Sequence, residues 1–215
     1  MQKGFALLLG LLAAVPAMAQ TADTVTVGTV SIASAGSTVD VPVFIRDASG
    51  TPLGLDQPPG SRIQSYSLTV NYAPASAVQS VTFTRAGITA PLTPAFESSP
   101  SAPGTISLID VFQESTNLIP FTLNGAPPGN QVGVLHVTIA PTATVGTTIA
   151  LTLDPTLTQL SNQAGTTSET VTNGSLTLVN GAIVVTTPVP ALSAWALALL
   201  AMVLAAVAVV VLPRT

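Results

Sequence analysis

From residue 24 to residue 185 apolar and polar side chains alternate with a period of two, and glycine, proline, asparagine or serine interrupts the alternation at short intervals. Successive side chains of a strand point to opposite faces, so this pattern requires strands with one face in a core and the other toward solvent. Amphipathic helices need a period near 3.6, and no segment of this region offers one. Composition points the same way. Charged residues make up 7% of the chain, against roughly 25% in an average soluble domain. Threonine, serine, valine, alanine, glycine and proline fill the gap, and they suit strands joined by tight turns.

The alternation divides into about nine strands. Residues 24–32 carry Val25, Val27 and Val30 and end before a Gly36-Ser37 turn. Residues 38–46 place Val39, Val41, Val43 and Ile45 on one face; Pro42 lacks a ladder donor, which predicts an edge or a bulge there. Residues 47–61 form a loop rich in Gly, Pro and Asp. Residues 63–72 turn Tyr66, Leu68, Val70 and Tyr72 inward and Ser65, Ser67, Thr69 and Asn71 outward. Strands follow at 78–84, 105–112, 131–140, 147–153 and, briefly, 157–160. Two long connections separate them, 87–103 with four prolines and 113–130. Residues 174–185 close the domain as one strand or a bulged pair. The fold class is all-β, a two-sheet sandwich.

The two ends address the chain. Lys3, an apolar run over residues 5–15 and the small-residue site Ala17-Met18-Ala19 form a signal peptide, residues 1–19, with the mature chain starting at Gln20. Residues 191–212 contain neither charge nor proline. As a helix they would extend roughly 33 Å, enough to span a bilayer. Trp195 near one end suits the headgroup interface, and Arg214 beyond the other end agrees with a cytoplasmic C-terminus. The organisation expected is a signal peptide over 1–19, a β-sandwich over 20–187, and a tail over 188–215 with a transmembrane helix over 191–212.

Several function classes fall away. Between residues 20 and 187 three arginines face nine carboxylates, a net charge of −6. A nucleic-acid binder needs a basic stripe to displace counterions, so none is expected. Without cysteine there is no disulfide framework or thiolate metal site. The single histidine, His136, falls in mid-strand, and no nucleophile elbow accompanies it. The carboxylates are scattered rather than paired across a cleft; Asp110 and Glu114 could pair across a strand end, with a solvated loop as the plainer reading. No catalytic residue and no cofactor is assigned. Asp47 and Asp56 share a loop and are weak candidates for calcium, with solvated turn residues as the plainer reading. Asn173-Gly174-Ser175 fits a glycosylation sequon, with an Asn-Gly turn as the plainer reading. Ser65, Ser67, Thr69 and Asn71 are the best candidate binding face.

Two resemblances join this reading. Val189-Pro190-Ala191-Leu192-Ser193-Ala194-Trp195, followed by an apolar helix and Arg214, resembles the IPTL-CTERM sorting signal, with Pro190, Leu192, Ser193 and Trp195 in register and Val189, Ala191 and Ala194 departing from it. That resemblance implies a Gram-negative envelope, arrest in the inner membrane, and processing by an exosortase-like enzyme before display at the cell surface or in the matrix. The body of the chain resembles the cohesin domain. Val27-Gly28-Thr29-Val30 with the following strand, Tyr66-Ser67-Leu68-Thr69-Val70-Asn71-Tyr72-Ala73-Pro74, Val132-Gly133-Val134-Leu135-His136-Val137-Thr138-Ile139 and Asn173-Gly174-Ser175-Leu176-Thr177-Leu178 occur in cohesin order. The resemblance implies a nine-stranded jelly roll, and as partner a dockerin-like protein or a cell-surface polysaccharide; Ala73 stands where the family usually has Asp. The function expected is non-catalytic binding at the surface. The alternatives are a structural matrix component without a specific ligand and, least favoured, a cryptic polysaccharide-degrading enzyme.

Overall fold

The computed structural model describes residues 21–187, together with Leu199, Ala201 and Met202, which are helical. Ala17, Ala19, Gln20, the sorting residues from Val189 to Arg214 and the rest of the membrane helix expected over 191–212 lie outside the described residues. Among the described residues no helix is long and apolar enough to cross a membrane.

Among the described residues fourteen strands form two sheets: β1 (Asp23–Val27), β2 (Thr29–Ile32), β3 (Thr38–Arg46), β4 (Ser65–Ala73), β5 (Val78–Arg85), β6 (Phe96–Ser98), β7 (Ser101–Ala102), β8 (Thr105–Val111), β9 (Asn130–Ile139), β10 (Thr148–Leu153), β11 (Gln159–Ser161), β12 (Ser168–Glu169), β13 (Leu176–Val179) and β14 (Gly181–Val185). One sheet has the order β13-β1-β3-β9-β5. The other runs β12-β11-β4-β10-β14-β2, with β8 along the far edge of β4 and β6 and β7 against β8. Pairing is antiparallel except where β1 meets β13 and β2 meets β14.

The inward rows meet as the alternation requires. Val25, Val41, Val43, Ile45, Phe83, Leu135 and Val137 from the first sheet are buried with Tyr66, Leu68, Val70, Ile106, Leu108, Ile149, Leu151 and Ile183 from the second. Tyr66 packs a tilted ring on Phe112, 6.2 Å between centroids.

Nine expected strands become fourteen for identifiable reasons. The runs 24–32 and 174–185 are each cut once, at Gly28 and at Asn180, because both change sheets there. The two crossings touch: a Cβ on Gly181 would lie far inside contact with the Gly28 and Val27 carbonyl oxygens. Glycine at 181 is what permits two backbones to pass this closely. The connection 87–103, expected to be without strands, folds β6 and β7 onto β8, and β12 is a two-residue addition to β11.

Pro42 corrects the expectation of an edge. It lies on β3, inside the first sheet, between β1 and β9. Pro42 accepts the Gly28 amide through its carbonyl, and the β1 ladder, which pairs Val27 with Val43, ends there. The missing proline N–H therefore falls where the neighbouring strand has already departed. The bulge expected at Pro42 is absent from β3 itself: the ladder shifts register beside Val43 and Phe44, and the extra residue is Val132 of β9.

Candidate binding face

The second sheet turns its outer side to solvent around β4. Alternation places Ser65, Ser67, Thr69 and Asn71 there, and the ladder to β8 sets Val111, Ile109, Ser107 and Thr105 beside them in turn. On the other side Ser161, Gln159 and Thr152 complete the rows at Ser65, Ser67 and Asn71. β6 extends the same face, with Phe96 opposite Val111 and Ser98 opposite Ile109.

The four residues singled out from sequence are on this side of the sheet but are not equally open. Thr69 is only 3% exposed. The excursion 154–158, which joins β10 to β11, leans on it: the Asp154 amide donates to the Thr69 carbonyl at 2.9 Å, and the Thr69 amide donates to Thr158 Oγ1 at 3.3 Å. Thr69 Oγ1 is further tied to Ser107 Oγ at 2.8 Å. Thr69 thus belongs to the support of the face. Ser67 donates to the Leu157 carbonyl at 3.0 Å and Asn71 to Asp154 Oδ2 at 3.3 Å. Asp154 is itself an Asx-type anchor, accepting from the Thr156 hydroxyl and from the Thr156 and Leu157 amides; these bonds to Thr156 chiefly hold its carboxyl below the usual range.

What the hydroxyl row misses is apolar. Phe96 is 54% exposed and Leu157 56%, and Ile109 and Val111 are half-buried between them and the serines. Phe96, Val111 and Ile109 are contiguous across β6 and β8. Sequence reading passed over this strip because 87–103 read as a connection, leaving Phe96 without a strand partner. A lone phenylalanine in a proline-rich segment was the available signal. Tyr66 is buried and Tyr72 half-buried, so the face offers no tyrosine platform for stacking a sugar.

His136 sits on the outer side of the first sheet. Its Nδ1 meets Asp40 Oδ1 at 2.6 Å and its Nε2 meets Thr84 Oγ1 at 3.1 Å. Acid, histidine and hydroxyl follow in the order of a nucleophilic triad. The Asp40 side chain, however, is 65% exposed on an open sheet, whereas a triad acid is buried and orients its histidine from within. The row is a surface ladder. The Asn173 side chain is also committed: its Oδ1 accepts the Thr170 and Ser175 amides and its Nδ2 donates to the Ser168 carbonyl, which is the turn reading of Asn173-Gly174-Ser175.

Buried carboxylates are the second feature that sequence reading missed. Asp23, Asp47, Asp110 and Glu169 are all fully buried. Asp23 shares its parity with Val25 and Val27, and Asp110 with Ile106 and Leu108, so an acid at an inward register was the visible signal; Asp110 is therefore not the solvated loop residue expected. Burial pushes Asp110 up to about 6, with Glu97 adding to the rise, while the Tyr66 hydroxyl and Arg85 oppose it. The Tyr66 hydroxyl faces it without a well-aligned hydrogen bond. Glu114, by contrast, accepts the Gly60 amide at 2.9 Å and lies 3.8 Å from Arg62.

Comparison with known proteins gives the fold its relatives. Residues 187–214 match the model of the IPTL-CTERM motif. No curated protein sequence matches the chain. Among solved structures, a Clostridium acetobutylicum cohesin, CaCohA2, in complex with a dockerin is 25% identical, with a TM-score of 0.54 over 76% of this chain and 99% of the cohesin. The third cohesin of ScaC from Acetivibrio cellulolyticus, bound to the ScaB dockerin, is 18% identical with a TM-score of 0.55 over 77% and 99% of the two chains. A Clostridium thermocellum cohesin, OlpC, also in a dockerin complex, is 17% identical with a TM-score of 0.53 over 80% and 97%. The described sandwich is thus a cohesin fold, and it is joined at residue 187 to an IPTL-CTERM motif.

Proposed function

We propose that this chain is an exported, non-catalytic module that binds a protein partner on the outer side of β4, β8 and β6 while its C-terminal motif commits it to surface sorting. The observation that carries the reading is the strip of Phe96, Ile109 and Val111 beside the hydroxyls of Ser65, Ser67, Ser98 and Ser107. An apolar strip flanked by short polar side chains on a rigid sheet suits the apolar side of a helix or strand, with the hydroxyls forming a polar rim. The related folds were solved as complexes with dockerins, which supports a protein partner of dockerin type over a polysaccharide. Export rests on the signal-peptide pattern over 1–19, and inner-membrane tethering on the apolar run 191–212. An exosortase-like enzyme would then act on the motif containing Val189, Pro190, Leu192, Ser193, Trp195 and Arg214.

The test uses the full-length chain in detergent, immobilised and exposed to dockerin-bearing and envelope proteins of its host. A partner retained by the wild type should be lost with Phe96→Asp and kept with Val179→Asp, which changes an exposed residue of the first sheet. Retention that survives Phe96→Asp removes the proposed face. Mass spectrometry of the mature protein checks for a start at Gln20 and for removal of the C-terminal segment.

A further inference from the structure

The loop 47–61 closes the end of the sandwich by giving its amides to carboxylates. Ala48 donates to Asp23 Oδ1 at 2.8 Å, Leu53 to Glu169 Oε1 at 2.8 Å, Leu55 to Asp47 Oδ2 at 3.0 Å and Gly50 to Asp56 Oδ2 at 2.9 Å. Each acid uses one oxygen in this way. The second oxygens of Asp23, Glu169 and Asp47 are buried and have no partner.

Asp23 and Glu169 lie side by side, and no base among the described residues stands beside them. Burial and the adjacent Glu169 raise Asp23, and burial raises Glu169, so the two carboxyls share a proton. Asp47 and Asp56 are differently placed. A Cβ on Gly54 would stand 2.6 Å from Asp47 Oδ1 and 3.0 Å from Asp56 Oδ1. The two oxygens therefore border the same side of residue 54, which stays clear because that residue has no side chain. Its φ of +144° is also a conformation that side chains disfavour. Neither acid has a basic partner: the ion pairs among the described residues are Arg62 with Glu114, Arg85 with Glu97 and His136 with Asp40. Two like charges bordering one side of residue 54, one of them fully buried, call for a cation.

We propose that Asp47 and Asp56 bind a divalent cation of the calcium type in the mouth beside Gly54, and that this ion fastens the loop 47–61 to the sandwich. The donors are carboxylate oxygens on an irregular loop, which suits the variable coordination of Ca2+ better than the strict octahedron of Mg2+. Among the described residues no three His, Cys, Asp or Glu side chains form a metal-holding group. The ion therefore takes its remaining ligands from main-chain carbonyls and water, as Ca2+ commonly does. The idea is independent of partner binding on the β4 face.

The full-length chain in detergent is stripped with EDTA and titrated with CaCl2, following heat by calorimetry and unfolding by circular dichroism. A single site is expected, with Kd in the 10⁻⁴–10⁻³ M range usual for extracellular modules. At ten times Kd the Tm should rise by roughly 3–6 °C. Asp56→Asn should abolish the heat and the Tm rise without lowering the Tm in EDTA, because an asparagine oxygen still accepts the Gly50 amide and the repulsion from Asp47 is relieved. Asp47→Asn should abolish the rise as well. The proposal is overturned by the absence of heat and Tm shift up to ten times that range, or by a calcium response that persists in Asp56→Asn.

Discussion

Replacing Asp110 by asparagine should make this protein more stable at neutral pH and leave it unchanged in acid. Asp110 lies on β8 with its side chain inside the sandwich, and neither oxygen has a hydrogen-bond partner. The groups around it are the Tyr66 hydroxyl from β4, Glu97 from β6 and Arg85 from β5. Its carboxyl is raised from 3.8 to about 6 in the fold. Below about pH 3 it is protonated in both folded and unfolded chains and has no effect. Between about pH 3 and 6 the folded chain keeps the proton that the unfolded chain has released, so stability falls as pH rises. Above about pH 6 both forms are ionised and the loss is complete, about 3 kcal/mol for a rise of roughly two units. Asparagine has the shape of the protonated acid and cannot ionise. At pH 7 the variant should therefore exceed the wild type by up to about 3 kcal/mol, or roughly 6–12 °C in Tm for a domain of this size. At about pH 3 the two should coincide. Thermal unfolding of both chains across this range, read by circular dichroism, isolates Asp110 because every other carboxylate is common to them. A difference that does not change with pH, or a variant less stable at pH 7, would refute the reasoning.

Other perturbations test other parts of the structure. Gly181→Ala forces a methyl into the Gly28 and Val27 carbonyls where the two strands cross; a loss of about 2–3 kcal/mol or more is expected from overpacking between backbones, read as a lowered urea midpoint at unchanged slope. Asn173→Ala removes the bonds that close the turn before β13 and should cost roughly 1–2 kcal/mol, without the mass change that loss of a glycan would produce. Phe96→Asp should leave the Tm within about 2 °C of wild type, since surface substitutions usually lie within about 0.5 kcal/mol, and should act only on partner capture.

Much of the architecture was legible because alternation is a local property. Val39, Val41, Val43 and Ile45 face one way whatever lies across from them, and β3 has the bounds its sequence predicts. The sorting motif was legible for the same reason: Pro190, Leu192, Ser193 and Trp195 are read by register along the chain, and the match over residues 187–214 agrees. Neither inference needs to know which strands are neighbours.

Neighbourhood is what the tertiary structure decided. Gly28 looks like an ordinary residue of one strand until Pro42 and Gly181 are brought against it and the chain changes sheets. Thr69 has the outward parity of Ser67 and Asn71, yet the excursion 154–158 covers it. Phe96 joins Ile109 and Val111 only because β6 folds back on β8. Asp23, Asp47 and Glu169 come from the start of β1, the end of β3 and β12, and they meet only when the loop 47–61 hands its amides to all three. Faces follow from the period of the chain, whereas burial of a polar group depends on residues far away in sequence, whose arrival no local pattern records.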